Sequence, residues 1–94
     1  MDERTKKLRA EARLIQPAVQ IGKNGVTDGT IVFISHELEQ RHLVKVKLLS
    51  AALPLSTEAH SAREQKRALA ADIAARTKSK VIDQVGNVLV FYRG

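Results

Sequence analysis

Apolar residues recur along this chain with two different periods, and the switches between the periods mark the elements. From about Thr5 to Leu14, Leu8, Ala12 and Ile15 stand at helical spacing beside Arg4, Lys6, Lys7, Arg9 and Arg13, which predicts a short helix with a dense basic side. Thr5 is placed to cap it, although Leu8 at the third following position leaves no capping box. Pro17 ends the pattern, because proline has no N–H to donate and biases its predecessor away from helical angles. Ala18-Val19-Gln20-Ile21 then reads as a short strand and Gly22-Lys23-Asn24-Gly25 as the loop that leaves it. Thr27 is a candidate N-cap and Asp28 a first-turn acid for a helix reaching about Gln40, with Ile31, Ile34 and Leu38 as its apolar stripe. Gly29 weakens the first turn of that helix.

Leu43 to Leu49 is the clearest strand, with Val44, Val46 and Leu48 on one face and Lys45 and Lys47 on the other. Ser50 to Thr57 has no steady period and contains Pro54, so it reads as a connector. From about Glu58 to Thr77 the helical period returns. Ala62, Leu69 and Ile73, with Ala70 and Ala74, face inward, and Arg63, Lys66, Arg67 and Arg76 surround them. Lys80 to Val85 and Asn87 to Arg93 are β-rich and predict a hairpin turning at Gly86-Asn87. The order α-β-α-β-α-β-β predicts an α/β fold with three helices and a four-stranded mixed sheet, its crossovers long enough to join parallel strands and its last two strands antiparallel. No repeat or linker divides the chain, so residues 1–94 are expected to form one domain.

Composition narrows the function classes. With two Phe, one Tyr and no Trp, the interior has to be aliphatic. The absence of Cys removes disulfides, thiolate catalysis and cysteine-based metal sites. No window approaches a membrane span, and a cytoplasmic location with no membrane contact is the expectation. A formal net charge of +6 on 94 residues favours a polyanionic partner through Coulomb attraction and counterion release. Anionic membrane, or charge that serves solubility alone, are the competing accounts.

The Gly22-Lys23-Asn24-Gly25 loop is the sharpest candidate. Two glycines around two polar residues, between a strand and a helix, let a partner's backbone approach without meeting a Cβ. A phosphate there would meet backbone N–H groups, the Lys23 ammonium and the positive end of the following helix, with Asp28 as a competitor. The loop lacks the spacing of a P-loop or a dinucleotide fingerprint, so no nucleotide cofactor is implied. The basic side of the first helix, Arg4, Lys6, Lys7, Arg9 and Arg13, is a second candidate. If it lies beside the loop, the two would track a phosphate backbone together. Lys45 and Lys47 form a third patch, for which a solvated strand face is the plainer account. Arg63, Lys66, Arg67, Arg76, Lys78 and Lys80 would extend the basic surface, and Tyr92 with Arg93 offers a ring and a guanidinium to an unpaired base. His36, His42 and His60 lack metal-ligand spacing, the acids are scattered, and Ser35 and His36 point apart on a helix. Neither a metal, a cofactor nor a catalytic set is expected.

The run from Val19 to Asp28, followed by Leu43-Val44-Lys45-Val46-Lys47 and ending in Val88-Leu89-Val90-Phe91-Tyr92-Arg93, resembles the CRM domain, the chloroplast RNA splicing and ribosome maturation domain, in its stand-alone bacterial YhbY-like form. The likeness runs from about Thr5 to Arg93. It implies a fold similar to the C-terminal domain of a bacterial translation initiation factor, with a loop reminiscent of KH domains at Gly22 to Gly25. It places the family's basic first helix on Lys6, Lys7 and Arg9 and its terminal pair on Tyr92 and Arg93. The connector Ser50 to Thr57 is longer than the compact bacterial form leads one to expect. The resemblance implies a non-catalytic RNA-binding protein acting on large-subunit ribosomal RNA or its precursor particle, and a monomer is expected. A DNA-binding protein, or an interaction factor without nucleic-acid contact, is the alternative.

Overall fold

The computed structural model describes residues 3–49 and 59–94, with side chains described to 49 and again from 63. The connector Ser50 to Thr57 and the side chains of His60 and Ala62 lie outside the described residues. In chain order the elements are α1 (Glu3–Ala12), β1 (Val19–Ile21), α2 (Asp28–Arg41), β2 (Leu43–Leu48), α3 (Ala59–Thr77), β3 (Lys80–Val85) and β4 (Val88–Tyr92). This is the expected order, and the described residues form three helices and one four-stranded mixed sheet.

The helix ends have local causes. α1 starts two residues ahead of its expected position, at Glu3, an acid that suits the positive end of the helix, so Thr5 lies within the first turn and does not cap it. Its last turn loosens before Pro17 into shorter-range bonds, Leu14 N–H to Glu11 O at 3.0 Å and Ile15 N–H to Ala12 O at 3.4 Å. α2 is capped as its sequence predicts, with Thr27 Oγ1 accepting from Thr30 N–H at 3.2 Å. It ends on His42 in the left-handed region at φ 68°, whose N–H reaches Leu38 O. β4 supports that unusual backbone, since Arg93 N–H donates to His42 O at 2.9 Å. α3 closes with Lys78 at φ 55° and two bonds, Lys78 N–H to Ala75 O and Ser79 N–H to Ala74 O, which is a Schellman ending.

The strand order is β1-β2-β4-β3. β1 and β2 are parallel neighbours, while β4 pairs antiparallel with both β2 and β3. β4 is therefore inserted between β2 and β3, strands that run in the same direction without touching. The hairpin turns at Gly86-Asn87 with positive φ at Gly86 only, the pattern of a type II′ turn. β4 takes the inner position because Leu89, Val90 and Phe91 are apolar on both faces, and all three are buried. A register shift between Val81 and Asp83 puts Ile82 out of step.

The two sheet faces are covered unequally. On one, Ile21, Val44, Val46, Leu48, Leu89 and Phe91 pack against Ile34 and Leu38 of α2 and Ala70, Ile73 and Ala74 of α3. The alternation of β2 and the stripes of α2 and α3 predicted this core. On the other, α1 sets Leu8 and Ala12 over Leu43, Ile82, Val90 and Tyr92. One short helix cannot cover four strands, so part of that face stays open.

Candidate nucleic-acid interface

The Gly22–Gly25 segment closes as a four-residue turn through Gly25 N–H to Gly22 O at 2.9 Å. Lys23 and Asn24 occupy its exposed tip. The two glycines differ in what the fold asks of them. Gly25 has φ +67°, a conformation side chains disfavour, although a Cβ there would meet nothing within 4 Å. Gly22 does not have a positive φ, and its Cβ would stand 3.6 Å from Leu49 Cδ1, an ordinary contact. Nothing in the described fold requires glycine at position 22.

Around the turn, Gln20, Thr27 and Thr30 complete a shallow, open depression with Gly22, Lys23, Asn24 and Gly25. Asp28, the expected competitor for an anion, is drawn to α3: its carboxylate accepts from Arg76 Nη2 at 3.0 Å. Arg76 also reaches Asp72 at 3.6 Å.

Gln20 links the loop to the open sheet face. The register sets Gln20 beside Lys47, Lys47 beside Val88, and Val88 beside Val85, one row across all four strands. Lys47 is exposed, Val85 is 63% exposed, and the row lies beyond the end of α1. Next to it, Arg9, Arg13 and Lys45 rim a recess of about 280 Å³ with Asp83 and an apolar floor that includes Val88 and Val90. Two of these cations are tied to the fold. Lys45 Nζ donates to Ile15 O at 3.2 Å, while Arg9 Nε donates to Ile82 O at 3.0 Å and stands 3.8 Å from Asp83.

The structure thus brings together Gly22, Lys23, Asn24, Gly25 and Lys47, with Lys45 and the C-terminal end of α1 at Arg13 beside them. The N-terminal end of α1 lies elsewhere. Arg4 stacks on Tyr92, 5.3 Å from the ring centre, and donates to its hydroxyl at 2.8 Å. Tyr92 is beside Leu43, at the far end of β2 from Leu48. At about 3.3 Å per residue, that end is roughly 17 Å along the sheet from the loop. Lys6 and Lys7 are exposed on α1 and face solvent. Arg93 turns inward: its guanidinium donates to Ser35 O at 2.7 Å, Thr77 O at 2.8 Å and Ser35 Oγ at 3.2 Å, joining α2 to α3. Beyond the expected set, Gln20 connects loop to sheet. Arg63 and Lys66, expected to extend the basic surface, gather with Gln84 and Gly86 near the hairpin turn. Strand pairing alone reveals the role of Gln20.

Among the described residues no group of three or more His, Asp or Glu side chains could hold a metal ion, and no helix is long and apolar enough to cross a membrane.

Residues 1–93 match the family model described as the CRS1 / YhbY (CRM) domain. The Bacillus subtilis protein named "Probable RNA-binding protein YqeI" is 31% identical over 86 residues, spanning 92% of this chain and 79% of the relative. A Haemophilus influenzae protein named "RNA-binding protein" is also 31% identical over 86 residues, with 92% and 77% covered. The solution structure of a hypothetical Staphylococcus aureus protein superposes with a TM-score of 0.74 at 30% identity, covering 96% of this chain and 83% of that one.

Proposed function

The chain belongs to the CRS1 / YhbY (CRM) domain family, and from that premise we propose that it is a non-catalytic RNA-binding protein whose glycine loop seats a sugar–phosphate backbone. The observation that carries this reading is Gly22. It is a glycine the described fold does not require, beside an exposed Lys23 and two residues past Gln20, which ends the sheet row that carries Lys47. A residue without a side chain, where the protein itself needs none, leaves room for something else to come close. Lys23 and the turn's backbone meet the phosphates, and Lys47, Lys45 and Arg13 continue the positive surface toward α1, where Lys6, Lys7 and Arg9 extend it. Such contacts hold an RNA by its backbone and shape, without reading base edges.

In this reading the loop works in the manner of a KH loop, on a fold like that of an initiation-factor C-terminal domain. The protein acts as a monomer in the cytoplasm, on large-subunit ribosomal RNA within its precursor particle. The names of the relatives and the basic surface support the RNA partner. The test is crosslinking in cell extract, with sequencing of the bound RNA and gradient fractionation of ribosomal particles. Enrichment of large-subunit RNA and co-migration with immature particles is the expected result. Recovery of DNA, or of RNA unrelated to the ribosome, would overturn the assignment of target.

A further inference from the structure

The chain has three aromatic residues, and their placement is uneven. Phe91 is fully buried and Tyr92 lies under Arg4, whereas Phe33 on α2 is 43% exposed. Phe33 stands off the Ile34 and Leu38 stripe that meets the sheet. At about 100° per residue it lies roughly 60° round the helix from Thr30, the α2 residue that lines the loop depression. Phe33 therefore lies on the same flank of α2 as Thr30, about one turn further along the helix. Gly29, one turn before Phe33, is exposed and carries no side chain. Glu37, one turn further on, is held by Arg41 at 3.8 Å. Val32, 68% exposed, points about 100° away round the helix.

We propose that Phe33 is a stacking platform for an unpaired base of the RNA strand whose backbone lies in the Gly22–Gly25 loop, so that this surface takes single-stranded RNA in preference to a closed duplex. The inference rests on the RNA-binding reading above and specifies its ligand. A ring face accepts any base, because every base has a π-face, and a base already stacked inside a duplex cannot reach it. Lys23 supplies the backbone contact in the depression that Thr30 also lines, which sets this apolar position apart from an isolated exposed phenylalanine.

The experiment uses the full chain, as wild type, Phe33→Ala, Phe33→Trp and Lys23→Ala. Each is titrated at one low salt concentration with a labelled single-stranded RNA oligonucleotide and with a blunt RNA duplex of the same sequence. Phe33 is exposed, so its variants are expected to fold. Phe33→Ala should weaken single-strand binding by about 5- to 150-fold and leave duplex binding unchanged. Phe33→Trp should restore single-strand binding, and its emission should change on binding, a clean signal because the chain has no other tryptophan. Unchanged single-strand affinity, an equal loss on both RNAs, or an unmoved tryptophan signal would overturn the proposal. So would a concentration-dependent oligomer that Phe33→Ala abolishes, which would assign this face to self-association. Lys23→Ala separates the two readings. If it weakens binding while Phe33→Ala does not, stacking fails and the loop reading stands; if wild-type protein binds neither RNA, both fail.

Discussion

Gly22 and Gly25 belong to one turn, and replacing each with alanine separates what the turn does for the fold from what it does for a ligand. Gly25 sits at φ +67°, and an L-residue forced into the left-handed region costs about 1–2 kcal/mol. No atom lies within 4 Å of the new Cβ, so backbone strain is the whole of that cost. In a domain of this size each kcal/mol moves Tm by roughly 4–8 °C, so Gly25→Ala should melt about 4–16 °C below wild type. Gly22→Ala meets Leu49 at an ordinary 3.6 Å and removes freedom from the unfolded chain. That change is neutral or stabilises by about 0.4–1 kcal/mol. Against RNA the order reverses. A methyl group added where two surfaces are in close contact costs about 1–3 kcal/mol if neither yields, which is about 5- to 150-fold in Kd. Thermal melts by circular dichroism and anisotropy titrations at fixed low salt measure both effects. Gly22→Ala binding as tightly as wild type would remove the close approach at that residue, and Gly22→Ala melting as low as Gly25→Ala would contradict the turn geometry.

Two further outcomes follow from the charged residues. Replacing Lys23 and Lys47 with alanine should flatten the dependence of log affinity on log salt by about 0.7–0.9 for each phosphate that is no longer neutralised, and replacing Lys6, Lys7 and Arg9 should flatten it further. An identical slope in the second set would remove α1 from the interface. Arg93→Ala should lower the free energy of unfolding by roughly 2–4 kcal/mol in urea titrations, since it deletes charge-assisted bonds to Ser35 and Thr77. A neutral effect on stability would contradict the clamp between α2 and α3.

Most of the secondary structure was legible because its signals are local. Thr27 and Asp28 marked the start of α2, the Val44, Val46 and Leu48 alternation marked β2, and Gly86-Asn87 marked the hairpin. α1 was displaced by two residues, because Thr5 looked like a cap while Glu3 already stabilises a turn starting earlier. The loop was legible as a motif. Its neighbours were less so, since charge shows up in a sequence but its commitments do not: Lys45 and Arg9 donate to backbone carbonyls, and Arg93 is occupied between two helices. Phe33 carries no signal in the sequence beyond being one of three aromatics.

From its residues alone this protein determined its period, its caps, its glycine turn and its excess of positive charge, all consequences of backbone sterics and side-chain chemistry within a few positions. Three-dimensional packing decided that β4 enters between β2 and β3, that α1 covers only part of its sheet face, and that Gln20 and Lys47 lie side by side. It also decided which arginines face solvent. Those outcomes depend on partners tens of residues apart along the chain, which no local pattern of residues encodes.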